Sequence, residues 1–475
     1  MLDQSFSAKN FETIFILLNR QGKVEVDAMS DDYQAVVGEI HAVNEEIKGL
    51  CKKKKSLRTE DETARLSALQ ESLPSLRKQK AEALAAAMEA LADEVNGRAF
   101  AFRFSTTFFE GKEEFVLVDS LAASYAMKQL QHNIKRTFKI EMTGRHQILS
   151  SIKRLLNMKM PIFIIRTDIS HFFESIPQER LLKKILDNSL LSYKSKAFIK
   201  GILDEYERIK DETLVDPGLG VPRGIGISSM LSEIYMQDID NCIRNRREVI
   251  FYARYVDDIF MIMTSLGEHK TVDDYYAALE VLFSKYGLSL KQKTDDKCQL
   301  VKFSPKERFT PVSFDYLGYK LNMNHGGREK DPLKTVYSLS DKKKDRIDER
   351  INKAFSHFEN LSKKDIKAAR RDLIDSLNFI TGNFRLSNAK HCAKVGLYYN
   401  NDLLDEISEL DSYTSNLHAH PINPHAGSLG SAAERQAYID ALKAKIDKID
   451  FKVRWGNKTM YDFSVARIAE ISSWL

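Results

Sequence analysis

The chain has 475 residues, 43% of them apolar and 29% charged, with a formal net charge of +5. That length exceeds one ordinary domain, so two to four modules around a large core are expected, and the apolar content excludes global disorder. A pI of about 8.7 is compatible with nucleic acid without singling it out.

Cys51, Cys242, Cys298 and Cys392 lie far apart and form no CxxC pair. They read as reduced thiols, not as a disulfide framework or a zinc knuckle. The opening MLDQSFSAKNFETIF has no basic region followed by an apolar run, and no stretch is apolar enough to span a bilayer. A cytoplasmic protein with no membrane partner is expected.

Residues 1–30 read as an N-terminal segment. Over 31–95 the texture changes: Val36, Ile40, Val43, Ile47 and Leu50 recur at helical spacing, then Leu66, Leu69, Leu73 and Leu76, then Leu84, Met88, Leu91 and Val95. This predicts a coiled-coil-like helical hairpin with a kink near Pro74. Lys52 to Lys55 suit the C-terminal end of the first arm, and Thr59 with Glu60 and Asp61 suits an N-cap and acidic first turn for the second. The lysine run reads as a solvated helix end, with RNA contact as the alternative.

Phe100, Phe102 and Phe104 alternate with small or polar residues, and a turn at Glu110-Gly111-Lys112 leads into EEFVLV, which predicts a β-hairpin. Residues 119–160 read as helical and basic, with Lys135, Arg136, Lys139 and Arg145 close together. After Ser340 the pattern is helical again, interrupted by a Pro- and Gly-bearing loop over 418–430.

The chemistry concentrates between these parts. RYVDDIF, 254–260, sets Asp257 and Asp258 side by side among strand-forming residues. Two strands with both aspartates at the tight turn is the local reading, and a plain turn is its bland form. PIFIIRTDISHFF is an apolar strand ending in Asp168. Carboxylates from separate strands are what two-metal phosphoryl transfer needs, and a cation between them relieves the repulsion of buried like charges. Two Mg2+ ions are the expected cofactors, with Mn2+ able to substitute. One would lower the pKa of an attacking 3′-hydroxyl and the other would stabilise leaving pyrophosphate.

DPGLGVPRGIGISS, 216–229, is glycine-rich and precedes a helical pattern; Gly224 and its neighbours permit close backbone approach, and Arg223 is placed to face a nucleotide or template. GLSLKQKTDDK carries Lys293, a candidate phosphate clamp or proton donor whose bland reading is a solvated side chain. FDYLGYKL is an aromatic hairpin segment that, on its own, is core packing. His418, His420 and His425 lie close in sequence but have no acidic or thiol partner nearby, so a loop outweighs a metal site.

Taken in order, these stretches resemble the reverse transcriptase motifs: RTDISHFF motif A, GVPRGIGISS motif B, YVDD motif C, LKQKT motif D and FDYLGY motif E. The match covers about residues 130–400. The resemblance is to bacterial retron and group II intron relatives, especially defence-associated and abortive-infection enzymes. LNFITGNFRL and DQSFSAKNF resemble the smaller polymerase subunit of the type 3 defence system.

The resemblance implies an α+β right-hand polymerase: fingers over 96–160, a ferredoxin-like antiparallel palm over 161–335, and a helical thumb with a C-terminal extension over 336–475, beyond the N-terminal helical hairpin. It implies an RNA-directed DNA polymerase. Asp168, Asp257, Asp258 and the Ile169 carbonyl would form the metal site. Phe173 would be the gate against a 2′-hydroxyl, and Lys293 the motif D lysine. Arg223 and Gly224 would lie at the nucleotide, Arg136 or Arg145 would reach the triphosphate, and Tyr316, Leu317 and Gly318 would grip the primer. Arg223 departs from the glutamine usual in motif B.

Partners would be deoxynucleotides, an RNA template of the dedicated non-coding kind and the DNA product, with a second reverse transcriptase subunit and self-association as further candidates. No intron-type endonuclease spacing or ribonuclease H acid cluster is evident. Two other readings stay open: a template-independent or protein-primed polymerase, for which Tyr398, Tyr399 and Tyr461 offer hydroxyls, and a catalytically silent RNA-binding scaffold.

Overall fold

The N-terminal third is built on helices. In the computed structural model, residues 1–2, 21–23, 25, 55–56, 110, 119, 142, 158, 265–269, 327, 329–330, 387–391, 426 and 428 lie outside the described residues. Helix α1 (Ala8–Arg20) is followed by a 3-10 turn at 26–28 and by the antiparallel pair α2 (Asp31–Cys51) and α3 (Glu60–Asn96). The second arm starts where its sequence directs it. The Thr59 hydroxyl accepts from the Glu62 N–H at 3.2 Å, and the Glu62 carboxylate accepts from the Thr59 N–H at 3.1 Å, a complete capping box.

One unbroken helix then passes through Pro74. Arg65 bridges the two arms to Glu46 at 2.7 and 3.0 Å. The far end of α3, with Met88, Leu91, Ala92 and Val95, is buried against α1 and the helix after the hairpin strands. In the expected lysine run, Lys53 pairs with Glu62, and Lys55 lies outside the described residues.

Strands β1 (Phe104–Phe109) and β2 (Lys112–Leu117) form the expected hairpin, with Glu110 of its turn outside the described residues. Phe100 and Phe102 precede the strand and pack edge-on around Phe198. Helices α4 (Leu121–Thr137) and α5 (Arg145–Leu155) follow.

The centre is a four-stranded antiparallel sheet. Strand β3 (Ile162–Asp168) leads through α6 (Phe172–Ser175), α7 (Gln178–Leu186), α8 (Tyr193–Ile209) and α9 (Ser228–Arg244) to the β4 (Val249–Tyr255) and β5 (Asp258–Met263) hairpin. Helix α10 (Val272–Lys285) and β6 (Gln299–Phe303) complete it, in the order β4-β5-β3-β6. This is the split β-α-β order of ferredoxin-like folds.

Every residue of β3 is buried because both faces of the sheet are covered. Phe163, Ile165, Ile259 and Met261 join α4 and α7 to α10 in one apolar cluster. Ile162, Ile164, Phe260 and Ile262 point the other way, into a cluster with α5, the strands 312–339 and most of the helices that follow. Period-two alternation along each strand divides the core this way.

Against that second face lies the meander β7 (Val312–Tyr316), β8 (Tyr319–His325) and β9 (Leu333–Leu339). The helix pair α11 (Asp341–Ser362) and α12 (Ile366–Thr381) packs behind it through Phe355, Phe358, Leu373 and Leu377. A small hairpin, β10 (Asn383–Arg385) and β11 (Lys394–Gly396), then α13 (Glu409–Ala419), α14 (Ala432–Ile446), α15 (Phe451–Gly456) and α16 (Val465–Trp474) close the chain. Trp474 stacks on His357 with ring centres 4.3 Å apart. The chain is thus an α+β protein with a central antiparallel sheet, a C-terminal helical region and an N-terminal helical hairpin, the layout expected of a right-hand architecture.

Phe260 is fully buried on the inner face, in contact with Tyr316 at 5.0 Å between ring centres, whereas Phe108 on β1 is 64% exposed. Denaturant unfolding should show Phe260→Ala costing about 3–5 kcal/mol. Phe108→Ala should stay within about 0.5 kcal/mol of the parent.

Candidate active site

Asp168 is the last residue of β3 and stands opposite Asp258, the first residue of β5, in the antiparallel register. Tyr255 pairs with Asp258 across the β4–β5 hairpin, so the two-residue loop is Val256-Asp257. The sequence places both aspartates in the turn; the structure shifts it by one, with Asp257 in the loop and Asp258 on the strand.

The shift has a local cause. Val256 takes φ of +61°, a conformation that a β-branched residue rarely adopts. Backbone bonds hold the surroundings: Ile169 N–H donates to the Asp257 carbonyl at 3.1 Å, Lys291 N–H to the Asp168 carbonyl at 2.9 Å, and Ser170 N–H to the Ser289 carbonyl at 2.8 Å. Three chain segments therefore meet around one cluster of acids.

The acids differ in their surroundings. The Asp168 side chain is 3% exposed; its Oδ2 accepts from the Lys297 ammonium, and its buried Oδ1 has no hydrogen-bond donor. Asp258 Oδ1 accepts from the buried Arg166 guanidinium at 3.0 Å. Burial raises the Asp258 carboxyl pKa, and the Arg166 charge draws it back. Asp257 is pushed up to about 6, by burial first and then by the negative charge of Asp168. Burial lowers the Lys297 pKa, but its bond to Asp168 and the charges of the acids outweigh that, and the net shift is upward.

These residues fit a divalent cation. The donors are hard oxygens, one buried carboxylate oxygen lacks a donor, and burial with the Asp168 charge disfavours the ionised Asp257; a cation would relieve the last two. Asp168 and Asp257 are the side chains that could hold it. Among the described residues no three His, Cys, Asp or Glu side chains are gathered as a ready ligand shell. Arg166 and Lys297 each occupy a carboxylate oxygen instead.

The glycine-rich segment lies beside the acids' neighbours. Val221 N–H donates to the Phe173 carbonyl, and Gly220 N–H to that of Ile176, both at 2.8 Å. Gly224 has φ of +94°, and a Cβ there would come within 2.7 Å of the Phe115 carbonyl oxygen. Only glycine allows the β1–β2 hairpin to close on this loop. Arg223 pairs with Glu174 at 3.3 Å, and its guanidinium lies 5.7 Å from the Phe173 ring centre, so the candidate gate and the motif B arginine touch.

Tyr316, Leu317 and Gly318 form the tip of the β7–β8 hairpin, with Tyr316 paired to Tyr319 and φ of +46° and +81° at the two loop residues. Positive φ at both loop positions is the turn that matches strand twist. The Tyr316 hydroxyl is buried and lacks a partner; burial, and then the Asp258 charge, raises its pKa. The Tyr316 ring packs on Phe260, two residues along β5 from Asp258.

Other expected residues sit elsewhere. Lys293 bonds Asp273 at 2.6 Å and is half exposed; the lysine on the acids is Lys297. Lys293 lies in a turn after the isolated bridge at Leu290, and its partner Asp273 is on α10. Arg145 donates to the Leu317 and Asn400 carbonyls at 3.4 and 3.0 Å, because α5 packs on the second core cluster beside the β7–β8 tip. Lys343 joins it there, 4.4 Å from the Tyr319 ring centre, and burial lowers its pKa to about 7. Arg136 lines a surface cavity of about 430 Å³ with His132, Lys135 and Lys139.

His418, His420 and His425 are engaged separately: the first on the Ile449 carbonyl, the second stacked on Phe355, the third through its N–H to Ser362. Sequence reading passed over Arg166 and Lys297. Arg166 lies two residues before Asp168 on the same strand face, and that period was the available signal.

Residues 117–321 match the family described as reverse transcriptase (RNA-dependent DNA polymerase). No curated protein matches the chain. Among solved structures, apo telomerase from Candida tropicalis is 12% identical, with 93% of this chain and 84% of that one covered and a TM-score of 0.37. Telomerase from Candida albicans, in complex with a TWJ fragment of telomeric RNA, is 10% identical, with 74% and 59% covered and a TM-score of 0.33. The assignment rests on the family match and on the strands described above, not on these overlaps.

The Asp257 carboxyl binds its proton more tightly folded, at about 6, than at the ordinary 3.8. Its contribution to stability is therefore present at low pH and is lost as pH rises through about 4 to 6. In chelator-treated protein at about pH 8, Asp257→Asn should raise unfolding stability by roughly 1–2 kcal/mol, allowing for water's access to the group. At about pH 4.5 the gain should shrink to less than half; denaturant titrations at the two pH values measure both.

Residues 117–321 are a reverse transcriptase domain, and the chain that carries them is an RNA-directed DNA polymerase.

Proposed function

We propose that the enzyme extends a 3′-hydroxyl with deoxynucleotides at Asp168 and Asp257, on a dedicated non-coding RNA template, in a bacterial antiphage defence system. The observation that carries the site is the meeting of the β3 end and the β4–β5 turn around a buried carboxylate oxygen that lacks a donor. The likeness of LNFITGNFRL and DQSFSAKNF to defence enzymes supports the biological setting. In this reading residues 96–160 act as fingers, 161–335 as palm and 336–475 as thumb. The 31–95 hairpin offers a surface for RNA or a second subunit.

Asp168, Asp257 and the Ile169 carbonyl would hold two magnesium ions, with Asp258 kept behind them by Arg166. When bound, the ions supply activation of the 3′-hydroxyl and charge neutralisation at pyrophosphate. The residues of the chain do the rest. Phe173, supported by Arg223, crowds the 2′ position of the incoming sugar. Lys297 has one flexible, half-exposed arm and exchanges Asp168 for the triphosphate as it arrives. The Tyr316–Gly318 tip fixes the primer end, with Arg145 behind it as a cation for the strand's phosphates.

Primer extension tests this. Asp168→Asn and Asp257→Asn should each slow incorporation by about 1,000-fold or more. Asp258→Asn, already committed to Arg166, should lose only about tenfold. Equal losses at 257 and 258 would contradict the division of labour. Phe173→Ala should raise ribonucleotide use by about tenfold or more; unchanged sugar discrimination would remove that role. Sequencing the nucleic acid that copurifies with the chain from its native host tests the template assignment. Phage plating on cells carrying Asp257→Asn tests the defence assignment.

A further inference from the structure

Arg254 lies on β4 two residues before the left-handed Val256, with a side chain only 3% exposed. Every N–H of its guanidinium is used. Nε donates to Asp240 Oδ1 at 3.1 Å, and NH2 donates to Asp240 Oδ2 at 2.8 Å and to Glu233 Oε2 at 2.7 Å. NH1 donates to Glu233 Oε1 at 2.8 Å and to the Val256 carbonyl oxygen at 2.8 Å. The Tyr252 hydroxyl adds a bond to Asp240 at 2.7 Å. Glu233 and Asp240 both belong to α9, the helix that follows the glycine-rich segment.

We propose that Arg254 is the positioning residue of the Val256-Asp257 turn, tying the carbonyl of its strained residue to α9 and so fixing where the Asp257 carboxylate stands. Core packing alone does not call for this arrangement. An aliphatic side chain would fill the space at lower desolvation cost, and a lone ion pair would leave the carbonyl free. Two forked carboxylates hold the guanidinium in one orientation, and its remaining N–H points at Val256. The left-handed turn persists because something outside it over-determines it. The same clamp makes the turn and the glycine-rich segment one rigid unit, so the acid and the nucleotide-facing loop keep their spacing.

The test is single-turnover nucleotide incorporation on a preformed template–primer, run beside thermal unfolding. Arg254→Lys keeps the charge, but a compact ammonium cannot fork to two carboxylates and reach the carbonyl. The incorporation rate should fall about 100-fold, the scale of a 1 Å misplacement. Nucleotide and template–primer Kd should stay within about threefold. Adding Val256→Gly should then restore the rate by about tenfold or more, because glycine adopts positive φ at no steric cost.

If Arg254→Lys does not fold, the variant carrying Arg254→Met, Glu233→Gln and Asp240→Asn removes the charges together, and the same rate loss and glycine rescue are expected of it. A rate within about threefold of the parent, a loss shared equally by nucleic-acid binding, or a loss that Val256→Gly leaves unchanged overturns the proposal. Failure of both variants to fold also overturns it, since Arg254 would then be a stability residue. The proposal rests on Asp257 being an acid of the reacting site, so Asp257→Asn is run alongside. Parental activity in that variant sinks the site itself. An inactive Asp257→Asn beside a fully active Arg254→Lys sinks only the role of Arg254.

Discussion

Asp168, Asp257 and Asp258 meet at adjoining strand ends, largely shielded from water, and the rest of the palm is arranged around that constraint. Burial raises the Asp257 and Asp258 carboxyls, and the charge of Asp168 raises both further. Arg166 from the same strand as Asp168, and Lys297 from the segment before β6, supply the compensating charge. The fold tolerates the cluster because those cations are built in, yet one carboxylate oxygen stays without a donor. Such leftover demand for positive charge is what a functional site, unlike a structural ion pair, retains.

The sheet carries this cluster at the seam between two cores. One face of β3 and β5 packs on α9 and α10, and the other on the β7–β9 meander and the thumb helices. In the proposed reading the nucleotide-facing elements would come from one face and the primer-facing tip from the other, with the acids between. Arg254 spans the first face and Tyr316 caps the second. A polymerase needs nucleotide and primer held on opposite sides of one reacting point, and two independent cores sharing one sheet provide that.

Much of this was legible in the sequence for identifiable reasons. The apolar run ending in Asp168 and the β-branched and aromatic residues flanking Asp257 and Asp258 give strands by composition, and Thr59 with Glu60 and Asp61 gives a helix start by capping and dipole chemistry. What could not be read was side-chain direction outside regular elements. Lys293 and Lys297 are four residues apart in a loop, where no period says which one turns inward. The turn at 256–257 was misplaced by one residue because a valine at positive φ contradicts ordinary turn chemistry. The resemblance implies Arg136 or Arg145 at the triphosphate; the apolar face of α5, with Ile148, Leu149 and Ile152, docks Arg145 beside the β7–β8 tip. The partners of Arg254 lie 14 and 21 residues away on a helix, beyond any local signal.

The central claim is that the acids of β3 and of the β4–β5 turn form one cation site. Manganese binding to the nucleic-acid-free protein, followed by electron paramagnetic resonance, measures it without reference to turnover. The account predicts saturable binding that Asp168→Asn and Asp257→Asn each abolish and that Lys297→Met strengthens. Undiminished binding in either asparagine variant would contradict it.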